Sequence, residues 1–229
     1  MGSQGRKRKS EDELLPFQKK LGHEMVTLFV GEKEARFTVH KEILCNKIPY
    51  FEKMFKGSFQ EATTNEARFP EDDPQSFDVL VGWVYEGELR SLIKEEHADG
   101  EGSLAWSPGR FYALADKLCL PQLMDETIDM QRQWGRHYGY LIPPAELQRG
   151  YEVAAPGTPY WHYLALYCAY GIIHTHNWLL EDLSAFLAKA PDLNLEVMKI
   201  LRENVGNIDD PDEDENCAFH THSKDVPCP

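Results

Sequence analysis

Apolar and polar residues alternate near the start of the chain in the manner of a short β-hairpin. The alternation runs over 26–30 and again over 35–39, on either side of the polar stretch 31–34. A period of two places the apolar side chains on one face of each strand, which is typical of strands that cover a core on one side. A further short strand is predicted around Arg68 and Phe69.

After the hairpin, apolar residues recur every three to four positions, which predicts helices. The first of these helices spans 40–47, and the second begins at Pro49 and ends at Gly57. A third begins at Pro74, and its apolar stripe stops at Gly87. Proline fits the first turn of a helix and glycine fits its end, so these residues delimit the elements.

Further along the chain, the pattern becomes helical throughout. The stretch 89–93 is interpreted as a fourth strand, and 95–106, which is rich in acid and glycine, as an exposed loop. Ser107 and Pro121 then each open a helix. No strand is predicted past residue 140. The helices expected there span 144–153, 159–174, 178–190 and 192–205.

Composition places the chain among globular proteins. Of its 229 residues, 42% are hydrophobic and 27% charged, and no run of about 18 apolar residues predicts a membrane-spanning helix. The formal net charge of -14 would repel phosphates, which argues against broad binding to nucleic acid or to a membrane surface. Five cysteines without a regular framework, and a basic N-terminal stretch with no apolar segment behind it, favour the nucleus or the cytoplasm.

The two ends of the chain carry opposite charge. Residues 1–21 are interpreted as a disordered basic head, whose basic cluster is of the kind that nuclear import receptors bind or is simply solvated. The acidic run 209–215 cannot bury apolar surface, so we expect it to stay extended in water and to mark the end of the folded part. The basic cluster consists of Arg6, Lys7, Arg8 and Lys9.

The aromatic residues of the predicted helix 159–174 could be mistaken for a platform on which nucleic-acid bases stack. Lysine and arginine do not alternate with them, so the electrostatic half of such a platform is missing. Packing against the neighbouring segment that carries Trp178 is the favoured interpretation. The residues concerned are Tyr160, Trp161, Tyr163, Tyr167 and Tyr170.

Taken in order, residues of the first half resemble the BTB/POZ domain, in a version common among fungal proteins. The resemblance covers about residues 22–132 and combines the hairpin, a His-Lys pair at the next helix start, an aromatic helix with Met-Phe, and a proline-to-tyrosine helix. The residues that carry it are Phe37, His40, Lys41, Leu44, Tyr50, Phe51, Met54, Phe55, Pro74, Phe77, Leu80, Tyr85 and Gly87.

The resemblance implies an α+β fold, with a small sheet capped by helical hairpins over 22–134. An all-α extension over 140–206 and an acidic tail with Cys and His over 207–229 complete the predicted organisation. It also implies a module for contact between proteins, in which His40 is a structural residue at the strand-to-helix corner. The sequence contains no phosphate-binding loop, nucleophile elbow or zinc-protease helix motif, so we expect no enzyme and no cofactor in this domain.

Family members that recruit a cullin scaffold of ubiquitin ligases resemble one another in a hydrophobic-x-Glu element after the Met-Phe helix. Phe59 and Glu61 match this element. The resemblance therefore implies an adaptor for such a ligase, with a partner-binding surface of these two residues bordered by Met54, Phe51 and Tyr85. The alternative is that Phe59 tucks under the third strand and Glu61 is a solvated acid.

A second function stays open, a nuclear regulatory or scaffold protein that self-associates or gathers other proteins through the same domain. Many relatives form two-fold homodimers by exchanging an N-terminal helix. Here Pro16 interrupts the segment 13–21, and Glu24 and Met25 stand where the family usually has Asp and Val. This departure argues against helix exchange and leaves open both a monomer and a dimer through another face.

Four metal-ligating residues lie close together in the C-terminal tail, in the pattern Cys-x2-His-x-His-x5-Cys. Residues two apart share a side of an extended chain, so the two histidines could bind one ion and two thiolates would complete a tetrahedral zinc site. The spacing matches no standard zinc finger, and a disordered or docked tail without metal is the alternative. The four residues are Cys217, His220, His222 and Cys228.

Overall fold

A computed structural model describes residue 19 and residues 21–92, 104–139, 141–175, 178–204, 207–213 and 217–222. The described residues divide into two compact units, the first from Met1–Pro74 and Leu80–Glu88 and the second from Gln75–Val79 and Leu89–Pro229. The basic cluster from Arg6 to Lys9 lies outside the described residues.

The first unit is built on a mixed sheet of three strands, β1 (Met25–Val30), β2 (Ala35–His40) and β3 (Glu66–Phe69). Strand β1 lies in the centre, antiparallel to β2 and parallel to β3. The predicted hairpin is confirmed, since Val26 pairs with Val39 and the alternate residues of β1 are buried. The third predicted strand is confirmed as well.

Short helices follow the strands of this unit, and two of them begin at a proline, Pro49 and Pro74, as predicted. They are α1 (Lys41–Lys47), α2 (Pro49–Lys56), α3 (Gln60–Thr64) and α4 (Pro74–Glu86), the last of which contributes residues to both units. The ring of Phe51 on α2 packs against those of Phe55 and Phe69, with centroids 6.1 and 5.9 Å apart. This aromatic cluster fixes α2 and β3 in a shared core.

The stretch between α4 and the next helix differs from the prediction in two respects. Residues 89–92 form no strand, and Leu89 and Leu92 are buried without a strand partner. Trp106, expected in an exposed loop, is buried and meets the ring of Phe111 edge-on at 5.4 Å. The loop has no apolar period, so sequence reasoning had no signal for a single large anchor at its end.

The second unit is helical in its described part, as predicted. Its middle helix α8 carries buried tyrosines at positions 160, 163 and 167, and the ring of Tyr167 lies 6.3 Å from that of Trp178, which confirms the packing interpretation. Within the described residues, no helix is long and apolar enough to cross a membrane. The helices are α5 (Pro108–Lys117), α6 (Pro121–Tyr138), α7 (Pro144–Val153), α8 (Pro159–His174), α9 (Leu180–Lys189) and α10 (Pro191–Asn204).

Candidate protein-binding surface and tail cluster

A glycine-dependent turn joins α2 to α3 in the first unit. A Cβ atom placed on Gly57 would lie 2.2 Å from the carbonyl oxygen of Lys53, so only glycine allows this close approach of the backbone. Phe59 follows in extended conformation and caps α3, whose last turn closes with the Asn65 amide donating to the carbonyl of Glu61. The turn is therefore set by the backbone and not by the side chain of Phe59.

Phe59 projects from this turn into solvent. The residue is 60% exposed, the largest exposed fraction among the large apolar residues that the structure describes in the first unit, and Glu61 is half-buried two residues further on. The alternative in which Phe59 tucks beneath the third strand is therefore wrong. An exposed aromatic ring on a constrained turn is the kind of residue that anchors protein interfaces.

The residues predicted to border this surface have different surroundings. Phe51 is fully buried in the aromatic core, which removes it from the predicted partner-binding surface, because its apolar position lies on the inner face of α2. Met54 and Tyr85 are half-buried. Of the predicted set, Phe59 is thus the exposed residue, and Glu61 is half-buried like Met54 and Tyr85.

Tyr85 contacts His40 at the strand-to-helix corner, where the resemblance implied a structural role for His40. The backbone amide of His40 donates to the Tyr85 hydroxyl oxygen at 3.0 Å, and the same hydroxyl lies 2.8 Å from His40 Nδ1. The Tyr85 hydroxyl oxygen therefore accepts from the backbone of His40 and is also within hydrogen-bond distance of its ring. The two residues form a structural pair between β2 and α4.

The described residues of the C-terminal tail, 207–213 and 217–222, pack against helices of the second unit, which corrects the expectation that the acidic run stays extended in water. The Tyr163 hydroxyl donates to Asp212 Oδ1 at 2.8 Å, and Arg132 Nε donates to the carbonyl oxygen of Pro211 at 3.0 Å. Phe219 is 1% exposed, with its ring 5.2 Å from that of Tyr163. Tyrosine hydroxyls and an arginine on α6 and α8 supply the partners that the acidic run lacks by itself.

Asp212 is an acid that the folded chain removes from water. Its side chain is almost completely buried, and this burial raises the pKa of the carboxyl group to about 7. The negative charge of Asp210 adds to the rise, while the hydroxyls of Tyr163 and Tyr167 and the charge of Arg132 oppose it. Burial raises the pKa by more than these contacts lower it, because it removes the carboxylate oxygens from water and so disfavours the charged form.

Three of the four residues in the predicted metal set lie together at the end of the described tail. The ligand atoms of Cys217, His220 and His222 all lie within 4.8 Å of one another. His220 Nε2 is also 3.0 Å from Asp129 Oδ2 on α6, a partner that the sequence analysis missed because it is 91 residues away. Cys228 lies outside the described residues.

The family of the chain follows from comparing its sequence with those of known domains. A sequence model of the BTB/POZ domain matches residues 20–133. The chain belongs to the BTB/POZ domain family. A BTB/POZ domain is a protein-interaction module, so residues 20–133 form a domain of the kind that binds other proteins. The α+β fold class predicted from the sequence is confirmed.

Two curated relatives match shorter parts of this BTB/POZ protein. The mouse TD and POZ domain-containing protein 4 is 36% identical over 56 residues, which are 24% of this chain and 15% of the relative. The human Kelch-like protein 38 is 33% identical over 63 residues, which are 28% of this chain and 10% of the relative. The match thus covers less than a sixth of the length of either relative.

Proposed function

We propose that this BTB/POZ protein is a non-catalytic adaptor that recruits a cullin-type ubiquitin-ligase scaffold through Phe59 and Glu61. The observation that supports this most is the 60% exposure of Phe59 on a turn that Gly57 constrains. The family resemblance adds the partner, because a hydrophobic-x-Glu element at this point resembles that of cullin-binding members. An adaptor also needs a client-binding region, which we assign to the helices after residue 140.

The turn suits an anchor residue on energetic grounds. Fully burying a phenylalanine side chain yields about 1.5 to 3 kcal/mol, and most of that gain is still available to a ring as exposed as Phe59. The backbone of the turn is already ordered, so binding loses little further conformational entropy there. Glu61 stands at the edge of the same turn, where a carboxylate can meet a basic or hydrogen-bonding group of the partner.

Substituting the two surface residues should weaken binding to a purified cullin N-terminal domain. Phe59→Ala removes the anchor and should raise Kd by roughly 30-fold, the effect of losing about 2 kcal/mol at an interface hot spot. Glu61→Lys should weaken binding by at least about tenfold, because it replaces the carboxylate that meets a basic or hydrogen-bonding group of the partner with a positive charge. Isothermal titration calorimetry measures both effects.

Two control variants separate loss of binding at the α2–α3 turn from the general effect of changing an exposed side chain. Leu195→Ala truncates an equally exposed apolar residue on α10, and Glu32→Lys reverses an exposed acid in the β1–β2 connection. Both should keep the wild-type Kd. If wild-type protein forms no complex, or if all four variants bind equally, cullin recruitment through this turn is refuted. The scaffold function without a ligase would then be the better account.

A further inference from the structure

We propose that Cys217, His220 and His222 bind a zinc ion that fastens the C-terminal tail to helix α6. The inference concerns the second unit and does not depend on cullin binding. It rests on the three ligands that the structure brings together and on the α6 residues that hold them in place.

The spacing of the ligand atoms is close to what zinc requires. Zinc binds nitrogen at about 2.0 to 2.1 Å and sulfur at about 2.3 Å, so a tetrahedron places two nitrogens roughly 3.3 Å apart and a nitrogen and a sulfur roughly 3.6 Å apart. His220 Nδ1 lies 3.1 Å from His222 Nε2, and the full set lies within 4.8 Å. Small side-chain rotations would bring all three atoms to coordination distance.

A carboxylate orients the first histidine as in many zinc sites. His220 Nε2 lies 3.0 Å from Asp129 Oδ2, so Nε2 carries the proton and donates it to the carboxylate. This leaves the lone pair of Nδ1 on the side of the ring that faces His222. A metal-binding histidine usually donates its second ring nitrogen to a carboxylate or carbonyl in this way, which fixes the tautomer and raises the basicity of the ligand.

The backbone between the two histidines is held independently of any metal. The Thr221 amide donates to Asp125 Oδ1 at 2.7 Å, and the Thr221 hydroxyl lies 3.2 Å from Asp125 Oδ2. Phe219, directly before His220, is buried between α6 and α8 side chains. The loop is therefore ordered before an ion binds, so the site does not depend on the metal for all its order.

The ligand types favour zinc over the other common divalent ions. One thiolate with two imidazoles is a soft and borderline set that suits zinc, whereas calcium and magnesium prefer oxygen ligands. The carboxylates of Asp125 and Asp129 add negative charge next to the site, which favours a cation.

Metal content of the full chain tests the site. Protein purified without chelator and dialysed should retain about one zinc per chain, the stoichiometry of a single structural site. Cys217→Ser should lose that zinc, whereas Cys119→Ser, which removes an exposed cysteine elsewhere, should keep it. Asp129→Asn should bind zinc roughly 10- to 100-fold more weakly in competition with a chromophoric chelator, as expected for loss of an orienting carboxylate.

Cobalt substitution gives a readout that does not depend on folding stability. The cobalt-loaded chain should show the visible absorption of a tetrahedral site together with a sulfur-to-cobalt charge-transfer band. Cys217→Ser should lose the charge-transfer band, and Cys119→Ser should retain it. Zinc contents that are negligible in the wild-type chain, or equal in Cys217→Ser and Cys119→Ser, would overturn the proposal and leave a hydrogen bond between two histidines.

Discussion

Truncating Phe219 to alanine should lower the free energy of unfolding of the second unit by about 3 to 5 kcal/mol, the usual cost of removing a buried phenylalanine. The side chain is 1% exposed, meets the Tyr163 ring edge-on, and lies under the Arg132 guanidinium at 5.2 Å. Its loss would leave a cavity and release the tail from α6 and α8. Chemical denaturation with excess chelator measures the effect without a contribution from metal.

Leu195→Ala provides the matched control for this truncation, because it also shortens an apolar side chain but one that is 60% exposed. We expect a change within about 0.5 kcal/mol there, as for most surface substitutions. If Phe219→Ala were as mild as the control, the tail would not be docked in solution as the structure has it.

The free energy of unfolding should fall with rising pH because of Asp212, the reverse of the usual behaviour of an acid. Its pKa rises from the ordinary 3.8 to about 7 in the folded chain, so between these values the folded state binds more protons than the unfolded state. The contribution is fully present below pH 4 and is lost as pH rises to about 7. A shift of this size corresponds to about 4 kcal/mol.

Asp212→Asn should remove this dependence while keeping an acceptor for the Tyr163 hydroxyl. The groups that face residue 212 otherwise stay the same: Tyr163 and Tyr167 on α8, Arg132 on α6 and Asp210 in the tail. In denaturation curves from pH 4 to pH 8, the free energy of unfolding of the variant should increase relative to that of the wild type as pH rises. A constant difference across that range would mean that Asp212 is not the group that titrates.

The first unit could be predicted from the sequence because its elements depend on short-range patterns. Alternation over β1 and β2 and the proline starts of α2 and α4 need no information from distant residues. The sequence was compatible both with an exposed Phe59 and with a Phe59 that tucks under the third strand. Choosing between them required the geometry of Gly57, where the backbone approaches Lys53 too closely for any side chain.

The tail could not be predicted because its partners lie far away in the chain. Composition alone predicts that an acidic run stays in water. That prediction is wrong here because buried hydroxyls and a guanidinium group from distant helices form hydrogen bonds with the run. Tyr163 lies 49 residues from Asp212, and Arg132 lies 79 residues from Pro211. The Cys-x2-His-x-His spacing was visible in the sequence, whereas the orienting Asp129 was not.

Amide hydrogen exchange with and without a cullin N-terminal domain tests most directly whether the α2–α3 turn is the protein-binding surface. On adding the domain, exchange should slow at the amides of residues 57–65, while the β1–β2 connection at 31–34 exchanges as before. Phe59→Ala should abolish the slowing at the same concentrations. Unchanged exchange over 57–65, or slowing confined to other parts of the chain, would contradict the assignment of binding to this turn.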